Sequence, residues 1–280
     1  MGYTHAEKIG NQGDLCKHSV VARAVEYLCG LDRANPFVYA ETHAGRPMYA
    51  LERGGEWREG IGTFYEKMKK AQDCGKVFPN LRIYTETCLS EPPRPGGAYP
   101  GSPGLVHKIL QKLCRNHRFF LCDVDPGVCT DLIGYFPQWN QVTIYRGNGF
   151  EYLQKVEEAS LVLIDPSYME TEEDRWSVLA ALELLDNQKI SFVCWTPRMG
   201  PAVPEDGEAS FSRFEKEVAG RFASVPVRWR DRESKIVCEQ EKKVLWGCGV
   251  TTSHDLEAVA RKTLGELEQI MDWGERSGNA

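Results

Sequence analysis

Apolar positions along this chain follow two rhythms, and their alternation predicts the fold. Leu15, Val21, Val25 and Leu28 share one side of a 3.6-residue period, so a helix runs to about Gly30 with Asp14 as its cap. Phe37-Val38-Tyr39-Ala40 then reads as a short strand, ending in the polar, glycine-containing loop Glu41-Thr42-His43-Ala44-Gly45. Leu105, Val106, Ile109, Leu110 and Leu113 form the stripe of a helix that starts at Pro100-Gly101-Ser102-Pro103, with Ser102 as cap and Pro103 at the first position. Beyond it, strands at 119–122, 142–145, 161–164 and 190–195 alternate with helices after Asp125-Pro126, to Val156, near 172–185 and near 210–221. Strand candidates at 224–229, 235–239 and 243–250 precede a last helix from about Ser253. This is the alternation of an α/β chain with a mostly parallel sheet and one antiparallel strand pair at its C-terminal end.

Residues 46–98 break the rhythm. A polar helical run near 56–72 and a loop rich in proline and glycine at 91–97 surround one short strand candidate at 81–85, with no sheet-core run. The expected organisation is a main domain of 1–45 and 99–280 carrying an inserted helical subdomain at 46–98.

The run Leu161-Val162-Leu163-Ile164 has no polar interruption, as in a strand covered on both faces. Pro166 ends it, because proline cannot donate to a sheet ladder. Asp165-Pro166-Ser167-Tyr168 therefore reaches the carboxyl edge of the sheet, where open α/β sheets bind ligands. Asp123 and Asn148 follow two other strands, so three polar residues gather at successive strand ends. Asp123 suits a ribose diol, since it offers two acceptor oxygens; Asn148 offers a donor and an acceptor to a base edge.

Composition narrows the partners. No apolar run approaches the about 18–20 residues of a membrane span. The first residues lack a hydrophobic signal core, so the expectation is cytoplasmic. The ten cysteines contain no Cys-x-x-Cys pair, and no metal site is indicated. A net charge of −6 disfavours indiscriminate nucleic-acid binding while leaving room for local basic faces such as Lys67, Lys69 and Lys70, or Lys108, Lys112, Arg115, His117 and Arg118.

Several motifs together resemble one family. Tyr3-Thr4-His5, Asn11-Gln12-Gly13-Asp14-Leu15-Cys16-Lys17-His18, Glu41-Thr42-His43-Ala44-Gly45, Tyr99-Pro100-Gly101-Ser102-Pro103 and Asp165-Pro166-Ser167-Tyr168 occur in the order found in the ribosomal RNA large subunit methyltransferase J family. Its members methylate N6 of an adenine in 23S ribosomal RNA, using S-adenosylmethionine. The resemblance implies a Rossmann-like methyltransferase fold, that cofactor without a metal, and protein-free 23S rRNA as partner, with no membrane and no obligate protein partner. It further implies that His18, His43, Ser102, Asp123, Asn148 and Asp165 contact the cofactor. Asp165 and Pro166 would accept hydrogen bonds from the target amine, Tyr168 would stack on the flipped base, and Tyr3, His5 and Lys17 would lie over the catalytic pocket. Three positions depart from the family: Ser167 replaces a second proline, Arg46-Pro47 replaces a small, glycine-containing continuation, and Asn148 stands where Asp is general. Two other readings share these residues: adenine-N6 methylation of DNA, and a cofactor binder without turnover.

Overall fold

The computed structural model describes residues 8–32, 35–113, 115–136, 141–156, 158–166, 172–199, 205–229 and 245–273. Its strands are β1 (Phe37–Glu41), β2 (Met48–Ala50), β3 (Ala98–Pro100), β4 (His117–Asp123), β5 (Val142–Arg146), β6 (Leu161–Ile164), β7 (Phe192–Met199), β8 (Ala223–Arg228) and β9 (Leu245–Thr252). Its helices are α1 (Gln12–Leu31), α2 (Ile61–Asp73), α3 (Arg82–Cys88), α4 (Ser102–Lys112), α5 (Pro126–Tyr135), α6 (Gly149–Leu153), α7 (Glu172–Gln188), α8 (Glu205–Arg221) and α9 (Glu257–Met271). Seven strands form one sheet in the order β5-β4-β1-β6-β7-β9-β8. β1 pairs in parallel with β4 on one side and β6 on the other.

That order explains the uninterrupted apolar runs. Phe37, Tyr39, Leu161 and Leu163 face a core built with α1, α4 and α9, through residues such as Leu15, Val25, Leu105, Ile109 and Leu264. Val38, Ala40, Val162 and Ile164 face the opposite core, against Val178, Leu182, Phe214 and Val218 of α7 and α8. Successive strand residues point to opposite faces, and both faces are covered, so every position must be apolar. After β1 the chain moves to β4 and β5 on one flank and to β6 and β7 on the other. The crevice at this reversal, outside the carboxyl ends of β1, β4 and β6, is the place such sheets offer a ligand.

Four local expectations are corrected. The cap of α1 is Asn11, whose side chain accepts from the Asp14 N–H at 3.0 Å, so the helix starts earlier and Asp14 is freed for other partners. The cap of α4 is Gly101, and Ser102 is already helical. The stretch at 81–85 lies not in a strand but in and beside α3, where Leu81 and Tyr84, three residues apart, are both buried. Its β-branched and aromatic content is overridden because it packs as a helix on α1 and α4. Finally, β9 lies between β7 and β8 and is antiparallel to both, so the reversed direction belongs to one strand rather than an edge pair. The candidate at 235–239 lies outside the described residues.

The segment after β1 leaves and returns through β2 and β3, which pair antiparallel from Met48↔Pro100 to Ala50↔Ala98. Trp57, Ile61, Phe64, Leu81 and Tyr84 from this segment join the α1 side of the core. Among the described residues no helix is long and apolar enough to cross a membrane.

Candidate active site

Asp165 follows the last residue of β6, and Pro166 beside it is buried. The Lys17 Nζ comes from α1 to within 2.5 Å of Asp165 Oδ2 and 3.0 Å of Asp14 Oδ1. Helical spacing makes this bridge: residues 14 and 17 are one turn apart and share a face. Lys17 is only 8% exposed. Burial pulls its ammonium down, but the Asp14 and Asp165 carboxylates outweigh that and hold it above its ordinary range. For Asp14 burial pushes up, while Lys17, His18 and the Gly10 N–H pull down harder, so its carboxyl sits below the usual value. Lys17 is thus a fixed cation that orients Asp165.

Glu41, at the end of β1, is buried beside this pair. Ser102 Oγ donates to its Oε1, and the Tyr39 hydroxyl donates to its Oε2 at 3.1 Å. Burial raises the Glu41 carboxyl well above its ordinary range, against the lowering effect of the Ser102 bond. Ser102 is therefore engaged with Glu41, a residue the sequence reading placed in the loop motif without a role.

A second group surrounds the 42–45 loop. Asp123 Oδ2 accepts from the Gly45 N–H at 3.0 Å and Oδ1 accepts from the Asp125 N–H at 2.9 Å. Each oxygen keeps a lone pair for another donor. Gly45 has φ +63, a conformation that favours glycine. Asn148 caps α6: its Oδ1 accepts from Phe150 N–H at 2.9 Å, leaving the amide group as a donor. The next residue must be glycine, because a Cβ on Gly149 would lie 1.9 Å from the Thr42 carbonyl oxygen. That contact presses α6 onto the loop and sets Phe150 edge-on to His43, 5.1 Å between ring centroids. Val124, after Asp123, is 67% exposed here.

The structure thus brings together Lys17, Asp165 and Ser102 in one cluster, and His43, Asp123 and Asn148 in an adjoining one. His18 follows Lys17 in α1 and is bonded into the core. It is 1% exposed, with Nδ1 2.9 Å from the Tyr99 hydroxyl, which in turn lies 2.9 Å from the Tyr84 hydroxyl. Burial drives the His18 imidazole down to about 3, so it is neutral. Tyr3, His5 and Tyr168 lie outside the described residues. Among the described residues no group of three or more His, Cys, Asp or Glu side chains is arranged to hold a metal ion.

Two residues with clear places in the site were not singled out from the sequence. Asp14 is the second carboxylate on Lys17, and the signal was its spacing from Lys17 in the helix. Glu41 was detectable as an acid closing an apolar strand.

A covered, mostly parallel sheet in this order, with its polar side chains gathered at the carboxyl ends of β1, β4, β5 and β6, is the Rossmann-like fold of S-adenosylmethionine-dependent methyltransferases. The family model described as ribosomal RNA large subunit methyltransferase D, RlmJ, matches residues 34–199, and the chain belongs to that family. It is 28% identical over 192 residues to ribosomal RNA large subunit methyltransferase J of Haemophilus influenzae, covering 65% of this chain and 64% of that protein. It is 27% identical over 177 residues to the Escherichia coli protein of the same name, covering 60% of this chain and 59% of that one. These alignments span less than two thirds of each relative. The crystal structure of a Legionella pneumophila protein superposes with a TM-score of 0.69 at 21% identity over 95% of both chains, which shows a shared fold.

Proposed function

We propose that this chain transfers a methyl group from S-adenosylmethionine to N6 of an adenine in protein-free 23S ribosomal RNA, in the cytoplasm and without a metal. The observation that carries the reading is Asp165, held by Lys17 at the end of β6 in a chain of this family. We read 46–98 as an insertion in a methyltransferase domain formed by 1–45 and 99–280.

The residues present fit the cofactor. Asp123 offers acceptor oxygens to a ribose diol, the Asn148 amide offers a donor, and exposed Val124 with Phe150 offers an apolar wall to a base. Gly45 and Gly149 keep the loop and α6 close to the crevice. We keep His18, His43 and Ser102 among the cofactor contacts, with the His18 ring set by its bond to Tyr99. When bound, the cofactor supplies a methyl group on a positively charged sulfur.

The chain's own residues handle the amine. Asp165 accepts one N6–H, and the Pro166 carbonyl accepts the other, which localises the nitrogen lone pair and makes a weak nucleophile competent. Lys17 occupies Asp165 Oδ2 and, being held cationic, fixes the carboxylate so that its other oxygen faces the amine. Tyr168 stacks on the base, which must leave its helix to reach the pocket. Tyr3 and His5 complete the substrate side. Most of the acceleration comes from this positioning.

The test is a labelled-methyl assay on protein-free 23S rRNA, on DNA and without a polymer. Label in the RNA arm alone, at N6 of adenine, is the expected outcome; label in DNA transfers the reading to DNA methylation, and none in any arm refutes turnover. In the same assay Asp165→Ala should lose on the order of a hundred- to a thousandfold in kcat. Asp165→Asn, which keeps an acceptor oxygen, should lose less. Both should bind cofactor in calorimetry.

A further inference from the structure

Trp195 has no part in the scheme above, yet it stands at the site. Ile164 and Cys194 are register partners on the parallel strands β6 and β7, so Trp195 lies beside Asp165, one step beyond. The Lys17 Nζ is 5.9 Å from the centroid of its ring. Two of the three ammonium protons serve Asp14 and Asp165. The first turn of α1 is shaped to this ring. A Cβ on Gly13 would lie 2.9 Å from Trp195 Cζ2 and 3.5 Å from Cε2, so a side chain there would push the indole away.

The indole nitrogen adds an independent observation. Trp195 Nε1 is buried and has no hydrogen-bond partner among the described residues. A buried donor without a partner costs stability, and a phenyl or aliphatic side chain would avoid that cost. What indole offers in exchange is the most electron-rich ring face for a cation.

We propose that Trp195 is a positioning residue for methyl transfer that acts through Lys17. Its ring face excludes water from the ammonium and keeps Lys17 shared between Asp14 and Asp165. Without the ring, Lys17 settles on Asp14, its neighbour one turn away in α1, and on water; Asp165 then loses the partner that fixes its orientation. The proposal rests on the methyl-transfer reading for its effect on rate, but the Lys17 contact itself does not.

The experiment compares Trp195→Phe, which keeps an aromatic face and removes the N–H, with Trp195→Leu, which is apolar without a ring. Trp195→Met replaces Leu if that variant does not fold. The folded proteins are pulsed with acetic anhydride and acetylation of Lys17 is read by peptide mass spectrometry; methylation of RNA is measured alongside. Lys17 should acetylate several-fold faster in the Leu variant than in wild type, and the Phe variant should stay close to wild type. The Leu variant should lose about tenfold in kcat with cofactor KM little changed, and Phe should recover most of it. Unchanged acetylation and kcat in the Leu variant overturn the proposal. So does equal impairment in Leu and Phe, which would assign the role to packing or to the N–H. If wild type transfers no methyl at all, the functional reading fails, while the acetylation comparison still decides whether the ring pins Lys17.

Discussion

Replacing Lys17 by methionine removes one charge and keeps most of the stem. The Lys17 side chain is 10% exposed, and its partners Asp14 and Asp165 are 14% and 18% exposed. Breaking a buried ion pair by removing one member costs about 3–5 kcal/mol, because the remaining charge is stranded. Here two carboxylates are stranded, but both touch solvent and Asp14 keeps the Gly10 N–H at 2.8 Å. The low end, about 3 kcal/mol, is the appropriate figure. For a chain of this size that lowers Tm by roughly 6–12 °C.

The pH dependence separates this account from a simple packing defect. Asp14 is held below its ordinary value of 3.8, so its contribution is present above that value and is lost as pH falls through the folded one. Lys17 is held above 10.5, so its contribution is present below that value and is lost as pH rises through the folded one. The stability gap between wild type and Lys17→Met should therefore be full near pH 7 and should close toward both extremes. Denaturant unfolding of both proteins at pH 7 and at the acid limit of reversible folding measures it. A gap that stays constant with pH, or one below about 1 kcal/mol at pH 7, would show that the ammonium does not hold these carboxylates.

Two further outcomes follow from single contacts. Gly149→Ala must move α6 away from the Thr42 carbonyl, so it should cost about 1–3 kcal/mol and weaken cofactor binding in calorimetry; unchanged affinity would remove α6 from the cofactor site. His18 is driven down to about 3 by burial, from an ordinary 6.5, so it contributes stability above pH 6.5 that is lost as pH falls toward 3. His18→Gln should flatten that acid limb of the unfolding curve, and an identical limb in the variant would assign acid lability to other groups.

Much of the fold was legible because it is local. The apolar runs that became β1 and β6 announce strands covered on both faces, and Asp125 and Pro126 announce the start of α5. Local signal misleads where it is ambiguous or where tertiary contacts outweigh it. Asn11 and Asp14 are both competent caps, and only the pull of Lys17 and Gly10 on Asp14 decides between them. Ile83 and Tyr84 favour a strand, but among the described residues they pair with none and pack as a helix instead. The insertion of β9 between β7 and β8 pairs residues whose partners no local pattern names. The Lys17–Asp165 contact joins residues 148 positions apart, so periodicity could not reveal it.

Glu41 is an acid at a position where the sheet is covered on both faces. Its register partners are Leu121 on β4 and Leu163 on β6, so an acid stands between two leucines in the middle of a sheet. Such a position rejects an ionised carboxylate unless donors meet it. Ser102 and Tyr39 are those donors; burial and the nearby Asp165 outweigh the downward pull of their hydrogen bonds and hold the carboxyl well above its ordinary range. Glu41 thus holds its proton to higher pH than an ordinary glutamate, and over that range it does not compete with Asp165 for the ammonium. The burial that makes Glu41 costly to ionise is therefore what lets Lys17 be shared only with Asp14 and Asp165. Ser102, at the start of α4, satisfies that carboxyl in the interior.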